Sequence, residues 1–252
     1  MKITFLGTGT SHGVPMINCD CEVCRSENPK NKRLRCSAVV QTDGLTLLID
    51  TTPDMRAQFL TWRFERIDAV LFTHAHADHI FGMDDLRRFN AVQQERIPVY
   101  GSAATIERLK GIFDYAFAEG EVRKGIPNVQ GNVINSAFSV KGVDITPIPL
   151  LHGKMEVFGY RIGNFAYCTD VSEIPQPSYA LLEGLDALVL DALRERPHFT
   201  QFSLEQAMTE AQKIQAKQTF FTHMNHNIDY EKHSKLLKNR MQFAYDGLVL
   251  EI

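Results

Sequence analysis

The sequence predicts a layered α/β fold, and three observations carry that prediction. Short apolar or β-branched runs alternate with helix-like segments along most of the chain. Several of those runs hand over to a His or an Asp, the pattern of proteins whose sites sit on loops at strand ends. A hydrophobic content of 44% over 252 residues is enough for a full core. The chain reads as one domain, 1–252, with an insertion or lid at 111–132.

Residues 1–6 form the first expected strand, running into the loop Gly7, Thr8, Gly9, Thr10, Ser11, His12, Gly13, whose small residues let the backbone approach something closely. Cys19, Cys21 and Cys24 follow as C-x-C-x-x-C. Three thiolates at that spacing fill three corners of a tetrahedral zinc site and leave the fourth to a residue distant in sequence. Residues 36–41 and 45–49 read as strands joined at Asp43-Gly44, a hairpin signal. Asp50 then either orients a metal-bound imidazole or caps the helix expected at 54–60.

The strand at 68–73 delivers the densest feature of the chain, LFTHAHADHIFG at 71–82, with His74, His76, Asp78 and His79 inside six positions. Three imidazoles and a carboxylate at the end of a buried strand would each cost desolvation energy without a strong partner. On an extended loop His74 and His76 project to one side, while Asp78 and His79 at a helix start address a neighbouring point. Two adjacent metal ions are the consequence.

Helices are expected at 84–90 and 103–110 with a strand between them at 97–100. From 111 to 132 five glycines or prolines interrupt any lasting period, which reads as the insertion or lid. Strands follow at 133–140 and 143–148, then His152. Two later strands end in the same way: 165–168 runs into Thr169-Asp170, and 219–222 into His223. A strand at 187–191, a helix at 203–215 with a Ser203/Gln206 capping box, a last helix at 230–240 and a closing strand at 247–252 complete the chain. His233, in that last helix, reads as a solvated surface residue.

Composition narrows the partners. Lys plus Arg number 27 against 30 Asp plus Glu, a net charge of −3, so no overall basic excess is available to hold a nucleic-acid backbone. No stretch approaches the roughly 18 apolar residues of a membrane span, and the N-terminal apolar run is short for a signal peptide. Five cysteines, three of them crowded, suit a metal site in a reducing compartment. A cytoplasmic protein without membrane or nucleic-acid partners is expected.

The pattern H-x-H-x-D-H, with a later single His, a Thr-Asp after a strand and a final Thr-His, resembles the metallo-β-lactamase superfamily across essentially the whole chain. The resemblance implies a four-layer αββα sandwich. It implies a first metal site at His74, His76 and His152, a second at Asp78, His79 and His223, and Asp170 as the bridge, holding two divalent ions, Zn or Mn. Gly7 to Pro15 with Cys19, Cys21 and Cys24 resemble PhnP-type phosphodiesterases, in which the residue three after the last metal histidine is the fourth ligand of a structural zinc. Here that residue is His226. The activity implied is hydrolysis of small cyclic or activated phosphodiesters through a metal-bridging hydroxide, in a homodimer, with Asp78 in the catalytic set.

Structural zinc would hold Ser11 and His12 near the metals, where His12 contacts substrate phosphate or makes a loop hydrogen bond. The family's proton-donating histidine falls on Gln201, and glutamine is no general acid at neutral pH. Either His198 reaches in to replace it, or the leaving group needs no proton, or the activity differs. As a purely structural residue His198 would pack on Pro197. Two other functions remain open at this point. One is hydrolysis of a lactone or thioester, since the same metals polarise a carbonyl. The other is a binding or carrier module, a role suggested by the pyrroloquinoline-quinone biosynthesis relative with its Cys-rich zinc motif.

Overall fold

In the computed structural model, which describes residues 1–118, 123–238 and 240–252, two seven-stranded mixed sheets lie face to face with helices on their outer sides. The first sheet is built from β1 (Lys2–Gly7), β2 (Ser37–Thr42), β3 (Leu45–Ile49), β4 (Ala69–Leu71), β5 (Ile97–Gly101), β6 (Val129–Val133) and β14 (Val249–Glu251), in the order β14-β1-β2-β3-β4-β5-β6. The second holds β7 (Phe138–Val140), β8 (Val143–His152), β9 (Met155–Ile162), β10 (Phe165–Cys168), β11 (Ala187–Asp191), β12 (Gln218–Thr222) and β13 (Met241–Phe243), in the order β13-β12-β11-β10-β9-β8-β7. Each sheet is antiparallel in one part and parallel in the other.

Alternation along the strands makes the layers. One face of each sheet supplies the inner core, where Phe5, Ala38, Leu47 and Leu71 meet Ile145, Tyr160, Phe165 and Val189. The opposite faces take the helices. Val39, Leu48, Val70 and Phe72 pack under α2 (Met55–Thr61), α4 (Leu86–Gln93) and α5 (Ala103–Ile112), whereas Ala166, Leu188, Leu190 and Phe221 pack under α6 (Leu204–Ile214). The remaining helices are short: α1 (Glu22–Arg25), α3 (Ala77–Ile80) and α7 (Tyr230–Ser234). The αββα sandwich is therefore the fold.

Two expected elements are corrected and one is added. No strand runs through 133–140: Val133 ends β6 in the first sheet and Phe138 begins β7 in the second, so the chain changes sheets between them. The helix expected at 230–240 stops at Ser234, and Met241–Phe243 becomes the edge strand beside β12. A strand not expected at all, β9, pairs over its whole length with β8. Of the stretch read as an insertion or lid, 111–132, the end is β6, paired parallel with β5, and its start is the last turn of α5; residues 119–122 within it lie outside the described residues.

Candidate dinuclear metal centre

Parallel strands that end at one edge of each sheet bring the site together. Asp50 follows β3, Thr73 and His74 follow β4, Asp170 follows β10 and His223 follows β12. Asp50, Asp170 and His223 each adopt a left-handed backbone, at φ 60°, 55° and 58°. That conformation is uncommon for residues with a Cβ and costs of order 1 kcal/mol or more each, so the surrounding hydrogen bonds must hold it. It turns the side chain after each strand back across the sheet edge instead of letting it continue along the strand.

The 71–82 segment is fixed by its own neighbours. Asp50 accepts the Thr73 N–H at 2.8 Å, the Thr73 hydroxyl at 2.8 Å and the His79 Nδ1–H at 2.7 Å. Asp50 thus orients His79, and the start of α2 goes instead to Asp54, whose carboxylate pairs with Arg35 at 2.8 Å. Gly82 closes the segment: a Cβ there would lie 2.1 Å from the Thr52 carbonyl oxygen, so only glycine lets α3 sit this close to the loop behind β3.

With Nδ1 of His79 engaged, its Nε2 faces Asp170 Oδ2 at 3.0 Å and Asp78 Oδ2 at 3.3 Å. His223 Nε2 faces the same carboxylates at 3.1 and 3.7 Å. His74 Nε2 and His76 Nδ1 point at each other across 2.9 Å. His152 donates Nδ1–H to the Thr200 carbonyl at 2.8 Å, which leaves Nε2 as its free ligand atom. Three overlapping ligand groups result, His74–His76–His152, His74–His79–Asp170 and Asp78–His79–His223, each with its atoms within 4.8 Å of one another.

Electrostatics describe what such a cluster wants. Burial opposes charge on His79, but Asp78, Asp50 and Asp170 outweigh it and hold its pKa well above the ordinary value. Burial likewise opposes charge on Asp170, and His223, His79 and His74 overcome it and hold the carboxyl well below its usual range. Nε2 of His79 and of His223 are buried and face only the carboxylates of Asp78 and Asp170. Convergent imidazole nitrogens and carboxylates fit two divalent cations, and the mixed His and Asp donor set suits Zn²⁺ or Mn²⁺.

A second cluster lies close by in the chain. Sγ of Cys19, Cys21 and Cys24 stand 3.1, 3.5 and 3.7 Å from Nδ1 of His226. Tetrahedral zinc with ordinary bond lengths places sulfur and nitrogen about 3.5 Å apart, so these four residues fit a structural zinc. Buried Arg33 fixes the loop that carries His226 through the carbonyls of Asn225 at 2.9 Å and Ile228 at 2.7 Å. The glycine-rich first loop is tied to the same place. Gly7 and Gly9 press against the backbone of residues 33–35, where a Cβ on Gly7 would lie 2.0 Å from the Arg35 carbonyl oxygen. Met224 donates to Thr8 and accepts from Thr10. The close approach read from the glycines is therefore to this chain's own backbone.

Ser11 and His12, at the tip of that loop, line a cavity of about 240 Å³ shared with Arg194, His198, Gln201 and Asn225. Gln201 is buried, its amide donating to Asp170 Oδ1 and lying 3.2 Å from His223 Nδ1. His198 is three residues away on the cavity wall, its Nδ1 3.0 Å from the Thr200 hydroxyl. His233 is not solvated: it is 3% exposed, its Nδ1 accepts the Asp229 N–H at 3.0 Å, and its Nε2 faces Glu195 at 3.0 Å. The Thr200 carbonyl is a functional group that residue-type reasoning missed, because a backbone acceptor leaves no mark in sequence. Thr73 was missed for a related reason, since a Thr at a strand end is ordinary until Asp50 is seen to hold it.

Comparison with known proteins agrees with this geometry. The family model described as Beta-lactamase superfamily domain matches residues 46–224. A Porphyromonas gingivalis protein named octanoyltransferase is 32% identical over 98% of this chain; the match takes up 51% of that protein, so the chain spans about half its length. The crystal structure of a diphosphatase of the PhnP family superposes with TM-score 0.93 at 43% identity, covering 100% of this chain and 97% of that one. Zinc-bound PqqB from Methylobacterium extorquens shares the fold at TM-score 0.81 and 21% identity, with full coverage of both chains.

Proposed function

The chain belongs to the beta-lactamase superfamily, and from that premise we propose that it is a metal-dependent hydrolase of small cyclic or activated phosphodiesters. The observation that carries the reading is the set of three overlapping ligand groups, which share His74 and His79 and so offer two adjacent cation positions at one sheet edge. Similarity to the PhnP-family diphosphatase over essentially the full length of both chains supports phosphorus as the reacting centre.

His74, His76 and His152 would hold one cation, Asp78, His79 and His223 the other, with Asp170 between them. Bound there, a pair of divalent ions supplies charge neutralisation for phosphoryl oxygens and lowers the pKa of water to near neutrality. The chain's own residues supply orientation. Asp50 holds the His79 tautomer, Thr200 holds that of His152, and the Gln201 amide braces Asp170. Asp78 is only partly buried beside exposed His76 at the open side of the site; burial opposes its charge, but His79 and His223 outweigh it and keep the carboxylate ionised. Ser11, His12 and His198 face the adjoining cavity as substrate contacts.

A substrate panel run with metal analysis tests the proposal. Three metals per chain, with turnover of a cyclic or aryl phosphodiester, is the expected result. A protein loaded with metal that cleaves a lactone or a thioester but no phosphodiester would establish the carbonyl reading instead. Loading without any turnover would support a carrier.

A further inference from the structure

The two most exposed large apolar side chains among the described residues are Phe199, at 83%, and Ile17, at 82%. Each is the chain neighbour of a residue lining the cavity beside the metal centre, Phe199 next to His198 and Ile17 next to Met16. Single exposed apolar side chains are ordinary on a protein surface; what distinguishes these two is that both flank residues of the same cavity. The Phe199 ring lies 4.7 Å from that of His198, tilted by 30°, so the two present neighbouring π-faces at the rim.

The lining itself has one sign. Among the described residues it contains no carboxylate, and it brings together Arg194, His12, His198 and the neutral donors Ser11 and Asn225. His198 Nδ1 accepts the Thr200 N–H at 3.4 Å, beside the Thr200 hydroxyl at 3.0 Å, which leaves the ring proton on Nε2 as a donor. The cavity adjoins the metal ligands on two sides. Gln201 touches Asp170 and His223, and the backbone of Thr200 holds His152. Whatever leaves the reacting phosphorus on this side enters a pocket built for an anion, with an aromatic rim.

Gln201 fits such a leaving group. Its amide carries no titratable proton, so it serves poorly a substrate that departs as an alkoxide. A phosphate monoester, with its second pKa about 6, departs as a stable anion without a proton donor.

We propose that this cavity is the leaving-group subsite for a nucleoside monophosphate, so that the substrate is a nucleotide-containing phosphoanhydride. The phosphate of the leaving nucleotide is held by Arg194, His12 and His198, and its base stacks on Phe199. In the reaction an oxygen from water bonds to phosphorus and the anhydride P–O bond breaks. The electron pair stays on the nucleotide's phosphate oxygen, and the water protons pass to solvent. The inference rests on the phosphodiester-hydrolase reading and names which activated diester it takes.

The test uses the metal-loaded protein with two substrates, bis(4-nitrophenyl) phosphate and P1,P2-di(adenosine-5′) diphosphate, and measures AMP and inorganic phosphate binding by calorimetry. AMP is expected to bind at least tenfold tighter than inorganic phosphate. Phe199→Ala and Arg194→Gln should each erase most of that preference and lower the anhydride-to-aryl ratio of kcat/KM at least tenfold, at unchanged melting temperature. Cleavage of the aryl diester without AMP preference or anhydride turnover would overturn this assignment and leave the hydrolase reading standing. Turnover of neither substrate would sink both. Anhydride turnover with a ratio untouched by both variants would place the nucleotide elsewhere and overturn the cavity's role.

Discussion

Asp50 shows how much of this site rests on residues that never touch a cation. Its carboxylate gathers the Thr73 N–H, the Thr73 hydroxyl and His79 Nδ1–H, and so decides which His79 nitrogen is free. Asp50→Asn keeps the shape and loses the charge that holds the imidazole, so metal affinity should fall about 10- to 100-fold, read by chelator competition. Asp78→Asn and His79→Ala act directly on the ligand set. Each should reduce kcat by about 100-fold or more. Asp78→Asn, at the part-exposed side of the site, should leave the melting temperature of the metal-free protein little changed, whereas His79→Ala strips the buried Asp50 carboxylate of its partner and should lower it as well. An equal drop in melting temperature for the two variants would contradict that division. His233 marks the limit of reading residues singly: its polar neighbours in sequence suggested solvent, and only the fold brings Glu195 and the Asp229 N–H to its ring.

Among the elements, strand ends do the positioning and the zinc loop does the fastening. The Cys19–Cys24 segment has no regular structure beyond the four residues of α1, so the burial of Val14, Val23 and Cys24 depends on the fourth ligand, His226, arriving from beyond β12. Cys21→Ser should therefore lower the melting temperature and reduce metal content by one ion per chain, measured by calorimetry with elemental analysis. The helix α6 was legible to the residue, since Ser203 and Gln206 form the expected capping box with both hydrogen bonds in place. The strand β9 was not. Gly159 interrupts it and the exposed pair Met155-Glu156 begins it, and its strand character comes from pairing with β8 through partners such as Leu150↔Val157. The last helix was overextended for the same reason, because an edge strand of three residues such as β13 carries almost no periodic signal by itself.

At the scale of the whole molecule the two sheets are joined by more than their shared core. Asp68, before β4, takes the Thr46 N–H at 2.9 Å and Arg66 at 2.7 Å, and also Lys141, from the turn between β7 and β8 of the other sheet, at 2.9 Å. Burial raises the Asp68 pKa, but these donors outweigh it and hold the carboxyl below its ordinary value. With the folded pKa depressed, the unfolded chain takes up the proton first as pH falls. The contribution to stability is therefore full above the ordinary aspartate pKa of about 3.9 and is lost as pH drops through the folded value. Asp68→Asn should be less stable than the parent at neutral pH, and the gap in melting temperature should close in acid. A constant gap across pH would show that the charge contributes nothing.

What the sequence determined by itself was chemistry that is local. Three histidines and an aspartate within six positions and a C-x-C-x-x-C run mark candidate ligands, because metal affinity depends on residue type and short spacing, and apolar runs closed by His152, Asp170 and His223 offer further candidates at strand ends. It also determined the alternation from which layered α/β structure follows. The tertiary structure decided what depends on distant segments meeting. It set the role of Asp50, the use of Thr200, the burial of His233, the change of sheet after Val133, and the cavity where residues 11–12 meet 194–201. Each of these rests on a hydrogen bond or a packing contact between segments tens to hundreds of residues apart. Such contacts come into being only when parallel strands end together at one edge of the folded sandwich, which no local spacing encodes.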